Sequence, residues 1–278
     1  SGVNPQSLRG SNTGVFVASS YAETEEAYAA SAPDIAVYGF LGSSRAIYCN
    51  RISYVFDFKG PSFSVDSACS ASLLALQQAL VAIRTGQCDQ AIVGGAQLCL
   101  RPATSLFFNN FNMLSADGKC KHLDSEASGF VRSETCSVVF LQKKSDAKRI
   151  YATVLHAATN TDGNKIEGIT YPLWSAQKDL FTRTLTEAEI DPLDVEYVEA
   201  HGTGTQGGDP VETKSIAEAF CKGRKDPLLI GSVKSNLGHS EPASAMNSLA
   251  KVVITMQNKQ IPANLHFKES NPKIPELS

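Results

Sequence analysis

Short apolar runs alternate along the chain with segments whose apolar residues recur every three or four positions. A short apolar run bounded by turn residues is typical of a buried strand, and the longer recurrence is typical of an amphipathic helix. The runs that we predict to be strands are residues 14–20, 62–65, 90–100, 133–143, 150–160, 195–202 and 228–233. The segments that we predict to be helices are 44–58, the segment after Cys69, 105–114, 175–190, 209–223 and 241–258. This alternation predicts an α/β fold with a largely parallel, buried sheet.

The charged segment 143–149 separates two stretches that have a similar order of elements. We therefore expect two related α/β halves, an N-terminal half at residues 1–142 and a C-terminal half at 150–278. In the second half, Asp209 is the predicted N-cap of a helix, because Pro210 beside it suits a first helical turn.

Composition narrows the class of protein. The 278 residues are 42% hydrophobic, which suits one large globular domain or two small ones, and the formal net charge is −3. No basic cluster predicts a nucleic-acid partner, and no apolar run reaches the length of a membrane span. The seven cysteines include no CxxC pair, which predicts a reducing, cytoplasmic location. The chain begins at Ser1 without an initiator Met, its first predicted strand at 14–20 needs partners, and its end is an extended Pro-rich stretch. We therefore expect a piece cut from a longer polypeptide and truncated at both ends.

Cys69 lies where the predicted strand 62–65 gives way to a helix with apolar residues at Leu73, Leu76 and Leu80. Small residues flank it, so the backbone can turn sharply and leave the sulfur reachable. A helix N-terminus favours negative charge and lowers the pKa of a thiol. This order of elements is that of a nucleophile elbow, and the alternative is a buried structural cysteine at a tight helix start.

Two of the five histidines, His201 and His239, each follow an apolar strand. In an open α/β sheet, functional sites gather beyond the carboxyl ends of the strands, so we expect both to share one pocket with Cys69. We expect His122 to be solvated in a polar loop, and His156 and His266 to have structural roles.

The glycine-rich stretch after His201, GTGTQGG, matches neither a dinucleotide-binding fingerprint nor a P-loop. It is either a turn that needs glycine or a passage for a long ligand beside the hydroxyls of Thr203 and Thr205. A cysteine with two histidines allows two chemistries, a Cys hydrolase or a condensing enzyme. In a condensing enzyme, both histidines donate N–H groups to a thioester carbonyl oxygen. Two histidines suit this role better than they suit a hydrolase, which needs a single Cys–His dyad.

Three motifs in order, DSACSASL, EAHGTGTQGGDPVE and GSVKSNLGHSEPAS, resemble the β-ketoacyl synthase (condensing) domains of the thiolase-like superfamily. Further stretches, among them NRISYVFDFKGPS, ATNTDG and PANLHF, are similar to the condensing domain of animal-type fatty acid synthases. The chain also resembles the condensing domains of modular polyketide synthases. The resemblance covers essentially the whole chain and implies a layered αβαβα thiolase-like fold.

The resemblance also implies a role for each matching residue. Cys69 would be the acylated nucleophile, and its backbone N–H one donor to the oxyanion. His201 and His239 would drive decarboxylation and stabilise the enolate. Lys234 would hold the second histidine region electrostatically, and Thr203 and Thr205 would contact a phosphopantetheine arm. No metal or nicotinamide is needed for this chemistry.

The partners implied are an acyl carrier protein domain and the other domains of a multifunctional synthase, with the parent enzyme a homodimer. Three alternatives stay open: a polyketide synthase condensing domain, a truncated non-catalytic remnant, and a Cys hydrolase. Consumption of a thioester without C–C bond formation would favour the hydrolase, and release of CO₂ from a malonyl thioester would exclude it.

Overall fold

The computed structural model describes residues 1–21, 23–31 and 37–277, and these residues form six strands and nine α-helices. The strands are β1 (Thr13–Ala18), β2 (Ser62–Val65), β3 (Gln90–Gln97), β4 (Thr135–Gln142), β5 (Tyr197–Glu199) and β6 (Leu229–Gly231). The helices are α1 (Glu23–Ser31), α2 (Val37–Ser43), α3 (Arg45–Phe56), α4 (Ala71–Arg84), α5 (Pro102–Asn110), α6 (Trp174–Glu187), α7 (Gly208–Phe220), α8 (Lys234–Leu237) and α9 (Ser244–Asn258). Short 3₁₀ turns are formed by Pro5–Leu8, Ala68–Ser70, Pro192–Asp194, Glu241–Ala243 and Pro275–Leu277.

The chain divides into two compact units, each built from three separate stretches of sequence. The first unit contains Ser1–Thr104, Ser133–Ala157 and Ser240–Val253. The second unit contains Ser105–Arg132, Ala158–His239 and Ile254–Ser278. The boundary predicted at 143–149, with halves at 1–142 and 150–278, stays a prediction.

The first unit is organised around a four-stranded sheet in the order β2-β1-β3-β4. Strand β1 pairs in parallel with β2 and β3, and β4 pairs antiparallel with β3. The predicted strands at 14–20, 62–65, 90–100 and 133–143 are thus confirmed, with somewhat shorter bounds at β1, β3 and β4. The largely parallel sheet is also confirmed, with β4 as its antiparallel edge.

Helices pack on both faces of this sheet. Successive side chains of β1 point to opposite faces, so each face presents apolar residues to a helix. Val15 packs in a cluster with Cys49 of α3 and Phe58. Its neighbour Phe16 packs on the opposite face with Leu76 of α4 and with other buried residues. The α/β class predicted from the alternation of elements is therefore correct.

The second unit contains the parallel pair β5–β6 and a pair of packed helices, α6 and α7. Leu185 of α6 and Phe220 of α7 form a buried cluster that also receives Val198 of β5 and Ile230 of β6. This buried cluster holds the carboxyl ends of β5 and β6 side by side. Each of these ends leads into one of the histidine-bearing loops.

Two predictions about elements are wrong. Residues 150–160 form no strand, because a strand needs a hydrogen-bonded neighbour and this segment belongs to no ladder among the described residues. Asp209 is not an N-cap, because α7 begins at Gly208 and Gly207 precedes it. No helix in the described part of the chain is long and apolar enough to cross a membrane.

Candidate active site

Cys69 lies in a single 3₁₀ turn, Ala68–Ser70, between the end of β2 and the start of α4. Ala68 has a left-handed backbone, with φ of +52°, which is rare for a residue that has a Cβ. Asp66 accepts a hydrogen bond from the Ala68 N–H at 3.2 Å, and the Ser70 hydroxyl donates to the Ser67 carbonyl at 2.8 Å. The sharp turn predicted for a nucleophile elbow is therefore present, and the cysteine at its apex is partly exposed.

Neighbouring segments of the first unit hold this elbow in place. Asp66 also pairs with Arg45 at 2.9 Å, so the residues before the turn are anchored from α3. On the other side, the turn packs against Glu241–Ala243, and the Ser244 hydroxyl donates to the Cys69 carbonyl at 3.4 Å. The turn that bears the thiol is thus buttressed from two sides.

Replacing Ala68 by glycine should raise the free energy of unfolding by up to about 1 kcal/mol. Glycine relieves a left-handed strain of roughly 1–2 kcal/mol, and its greater freedom in the unfolded chain costs about 0.4–1 kcal/mol. Ala68→Val should lower stability, because a β-branched residue is strained further at this φ. Urea unfolding of both variants measures the two effects, and a destabilised glycine variant would contradict the prediction.

His201 and His239 come together at the ends of the two paired strands of the second unit. β5 ends two residues before His201, and β6 leads through α8 to His239. Their rings meet edge to face, with centroids 5.2 Å apart and an interplanar angle of 88°. The expectation that strand ends would bring these two residues together holds for the histidine pair.

His239 is almost completely buried, with 1% of its surface exposed. Its backbone N–H donates to the Val131 carbonyl at 2.8 Å, and its ring meets Phe130 edge to face at 5.1 Å. Burial lowers the pKa of His239 to about 3, and the positive charge of Lys234 acts in the same direction. The imidazole is therefore neutral at physiological pH.

His201 is exposed when the whole residue is counted, and its backbone is held from α7. The Glu212 carboxylate accepts the His201 N–H at 2.6 Å and the Gly202 N–H at 2.9 Å. Desolvation by the surrounding protein is the largest cause that lowers the pKa of His201 well below its ordinary value, and the positive charge of Lys234 acts in the same direction. This imidazole too is neutral at pH 7.

Lys234 is the charge common to both shifts. Lys234 is the first residue of the short helix α8 and is 2% exposed. Its backbone N–H donates to the Ser232 hydroxyl at 3.3 Å. A fixed positive charge beside two imidazoles penalises their protonated forms. The pair can therefore offer N–H donors from neutral rings without carrying charge of its own.

The acid stability of the protein should fall because of His239. Below pH 6.5 the unfolded chain binds a proton at this residue, whereas the folded protein stays neutral there down to about pH 3. The free energy of unfolding should therefore decrease by about 1.4 kcal/mol per pH unit as the pH falls below 6.5. Between pH 7 and 5, urea unfolding should show a slope for the wild type that exceeds the slope for His239→Gln by about 1.4 kcal/mol per pH unit, because the variant loses the contribution of His239 and keeps that of His201. Equal slopes would contradict the shift.

The loop after His201 is a tight turn that needs its glycines. Gly202 and Gly204 have φ of +46° and +77°. A Cβ on Gly202 would stand 2.6 Å from Nδ1 of His122, so the backbone packs directly on that ring. These contacts favour the turn interpretation for the first two glycines. The Thr203 and Thr205 hydroxyls lie 3.3 Å apart, and that of Thr205 accepts the Gly208 N–H at 3.2 Å.

The prediction of a solvated His122 is wrong. Both His122 and Asp209 are 1% exposed, and the Nδ1 of His122 lies 3.1 Å from Asp209 Oδ2. Asp209 also accepts the N–H groups of Leu123 at 3.0 Å and Gly204 at 3.1 Å. The local sequence around His122 is polar, and no signal in it predicts a buried partner 87 positions away.

The second unit thus brings together five of the six residues singled out from the sequence: His201, His239, Lys234, Thr203 and Thr205. Cys69 belongs to the first unit, and its grouping with the histidines stays a prediction. Sequence reasoning missed Glu212 and the His122–Asp209 pair, which hold the loop between His201 and Thr205.

Comparison with known proteins gives consistent matches along the chain. Residues 1–147 match the family described as beta-ketoacyl synthase, N-terminal domain, and residues 151–268 match beta-ketoacyl synthase, C-terminal domain. The chain is 51% identical over 257 residues to a fatty acid synthase of Anser anser anser, covering 92% of this chain and 73% of that sequence. It is 40% identical over 280 positions to a phenolphthiocerol/phthiocerol polyketide synthase of Mycobacterium tuberculosis, covering 99% of this chain and 15% of that protein.

Solved structures agree with these matches. The oxazolomycin ketosynthase domain OzmH KS7 of Streptomyces albus matches with a TM-score of 0.89 and 35% identity, over 100% of this chain and 50% of that one. A ketosynthase of the bacillaene synthase of Bacillus subtilis matches with a TM-score of 0.88 and 34% identity, over 97% of this chain and 47% of that one. The chain spans about half the length of these two solved proteins.

Proposed function

The chain belongs to the β-ketoacyl synthase family and has its thiolase-like fold, and from that premise we propose that it carries out the condensation step of fatty acid synthesis. The observation that carries the proposal is the pair of neutral imidazoles, His201 and His239, held beyond two strand ends beside Lys234. The 51% identity to an animal fatty acid synthase favours a fatty acid product over a polyketide. The activity proposed is that of an acyltransferase.

In the first half-reaction, the Cys69 thiolate attacks the carbonyl carbon of an acyl thioester. The new C–S bond forms as the old one breaks, and the departing thiolate takes up a proton. The left-handed Ala68 turns the chain so that the thiol stands at the apex of the elbow. The Cys69 backbone N–H supplies one donor to the oxyanion that forms during the transfer.

In the second half-reaction, His201 and His239 each donate an N–H to the carbonyl oxygen of a malonyl thioester. The C–C bond to the carboxylate breaks, CO₂ leaves, and the electron pair is delocalised onto that oxygen as an enolate. The enolate carbon then attacks the acyl carbonyl on Cys69, and the cysteine leaves as thiolate. Neutral rings suit this work, since they stabilise negative charge by hydrogen bonding and keep their protons.

The substrates reach the site on the phosphopantetheine arm of an acyl carrier protein domain. The Thr203 and Thr205 hydroxyls, 3.3 Å apart, offer that arm two adjacent polar groups beside His201. We place the enzyme in the cytoplasm as a homodimer, within a synthase that carries the other domains. Its N-terminal half (1–142) would supply the nucleophile and its C-terminal half (150–278) both histidines.

The test is to incubate the protein with an acyl thioester and malonyl-acyl carrier protein, and to measure acyl-enzyme, CO₂ and product together. A 3-oxoacyl thioester formed with one CO₂ per turnover would support condensation. Free acid without CO₂ would support a Cys hydrolase, and a folded protein that does neither would be a non-catalytic remnant. A panel of saturated and β-oxygenated acyl thioesters separates a fatty acid synthase from a polyketide synthase that leaves oxygen at the β-carbon of its chains.

A further inference from the structure

His122 has no part in the chemistry above, yet it lies fully buried beneath the loop that bears His201. We propose that His122 is a positioning residue, which fixes the loop from His201 to Thr205 through Asp209 and so sets how the malonyl thioester binds. This inference rests on the proposed function and assigns one further residue to the same site.

The first step of the argument is the packing under Gly202, the residue directly after His201. The position where a Cβ would stand on Gly202 is 2.6 Å from Nδ1 and 2.7 Å from Cε1 of His122. The imidazole of His122 therefore packs directly against the backbone of Gly202, which has a left-handed conformation. This packing places the ring, and with it Nδ1, directly beneath the backbone that follows His201.

The second step is the hydrogen bonding of Asp209, in the first turn of α7. Its Oδ2 accepts from Nδ1 of His122 and from the Leu123 N–H, and its Oδ1 accepts from the Gly204 N–H. Gly204 lies between Thr203 and Thr205. One carboxylate thus ties His122 to the part of the loop that would meet the phosphopantetheine arm.

The third step is that the loop has a second anchor. Glu212 accepts the N–H groups of His201 and Gly202 independently of His122. Loss of the His122 contact should therefore loosen the Gly204 side of the loop and leave the fold intact. The Nε2 of His122 has no hydrogen-bond partner among the described residues, so the role we assign depends on Nδ1 alone.

A matched pair of variants, His122→Asn and His122→Leu, tests the proposal. Both side chains are shorter than histidine and nearly equal in size, so both remove the ring to the same extent. Only Asn keeps an N–H donor close to the position of Nδ1. We expect Leu to lower kcat/KM for the malonyl carrier by about 10- to 100-fold, chiefly through a higher KM, and Asn to stay within about threefold of the wild type.

Acylation of Cys69 by a small acyl thioester that lacks the phosphopantetheine arm should be unchanged in both variants, which distinguishes positioning from general damage. Amide hydrogen exchange gives a readout free of activity: Gly204 should lose protection in the Leu variant and keep it in the Asn variant. His156→Leu, in the other unit, is the control for loss of a histidine and should change neither measurement.

Equal behaviour of the Asn and Leu variants would overturn the proposal, as would a parallel loss of acylation and condensation. A wild type that releases no CO₂ from malonyl thioester would instead refute the proposed function. In that case the exchange of Gly204 still decides whether His122 holds the loop.

Discussion

Cys69→Ala is expected to abolish formation of the acyl-enzyme and to lower the rate of condensation by a factor on the order of 10⁴ or more. Alanine keeps the small side chain that the elbow needs and removes only the sulfur. The intact mass of the protein after incubation with a short acyl thioester measures the first effect directly. Release of CO₂ from a malonyl thioester should persist, because the variant leaves both histidines in place.

Two other cysteines provide the matched control for this variant. Cys136 and Cys221 are exposed, so their replacement by alanine tests whether an accessible thiol alone suffices for acylation. By contrast, burial raises the pKa of Cys49, Cys88 and Cys120, which keeps these three as unreactive thiols. An adduct that survives in Cys69→Ala and disappears in Cys136→Ala or Cys221→Ala would refute the assignment of the nucleophile.

The second large effect is expected from the histidine pair. His201→Ala and His239→Ala should each lower the rate of malonyl decarboxylation by about 10²- to 10³-fold, the usual loss for one oxyanion donor. The double variant should lose less than the product of the two, because residues that act on one oxygen are not additive. Acylation of Cys69 should remain in all three.

A conservative series separates donor loss from structural damage at these positions. His201→Asn keeps an N–H donor near that of imidazole, and His201→Leu has the same size without it. Decarboxylation should be partly retained in the first and lost in the second, as measured by CO₂ release from malonyl-acyl carrier protein. If all these variants decarboxylate at the wild-type rate, the two histidines do not bind the carbonyl oxygen.

The catalytic candidates could be predicted from the sequence because each follows an apolar strand along the chain. Such a position can be identified from the local pattern of apolar residues alone, and His201 after β5 is an example. The sharp turn at Cys69 was also predictable, since small residues surround it. What local pattern does not carry is the identity of a distant partner, and His122 was misjudged for that reason. Its neighbours in sequence are polar, whereas its surroundings in space come from Gly202 and Asp209.

The segment 150–160 illustrates the opposite failure. Its composition is apolar and β-branched, which favours a strand, but a ladder depends on a neighbouring strand and not on composition. The prediction that Asp209 is an N-cap was wrong for a related reason. An aspartate before proline at a helix start has the chemistry of an N-cap, yet its carboxylate is used by the backbone of Leu123 and Gly204 instead.

The interleaving of the two units has a consequence for how the protein is made. Ser244, which donates to the Cys69 carbonyl, is synthesised 175 residues later, and Met246 completes the core that Phe16 begins. Most of the chain must therefore be synthesised before the core of the first unit can be completed. Until then, part of the apolar face of the sheet stays uncovered. Such long sequence separation slows folding and exposes intermediates to aggregation. We expect the newly made chain to depend on chaperones until residues 240–253 emerge.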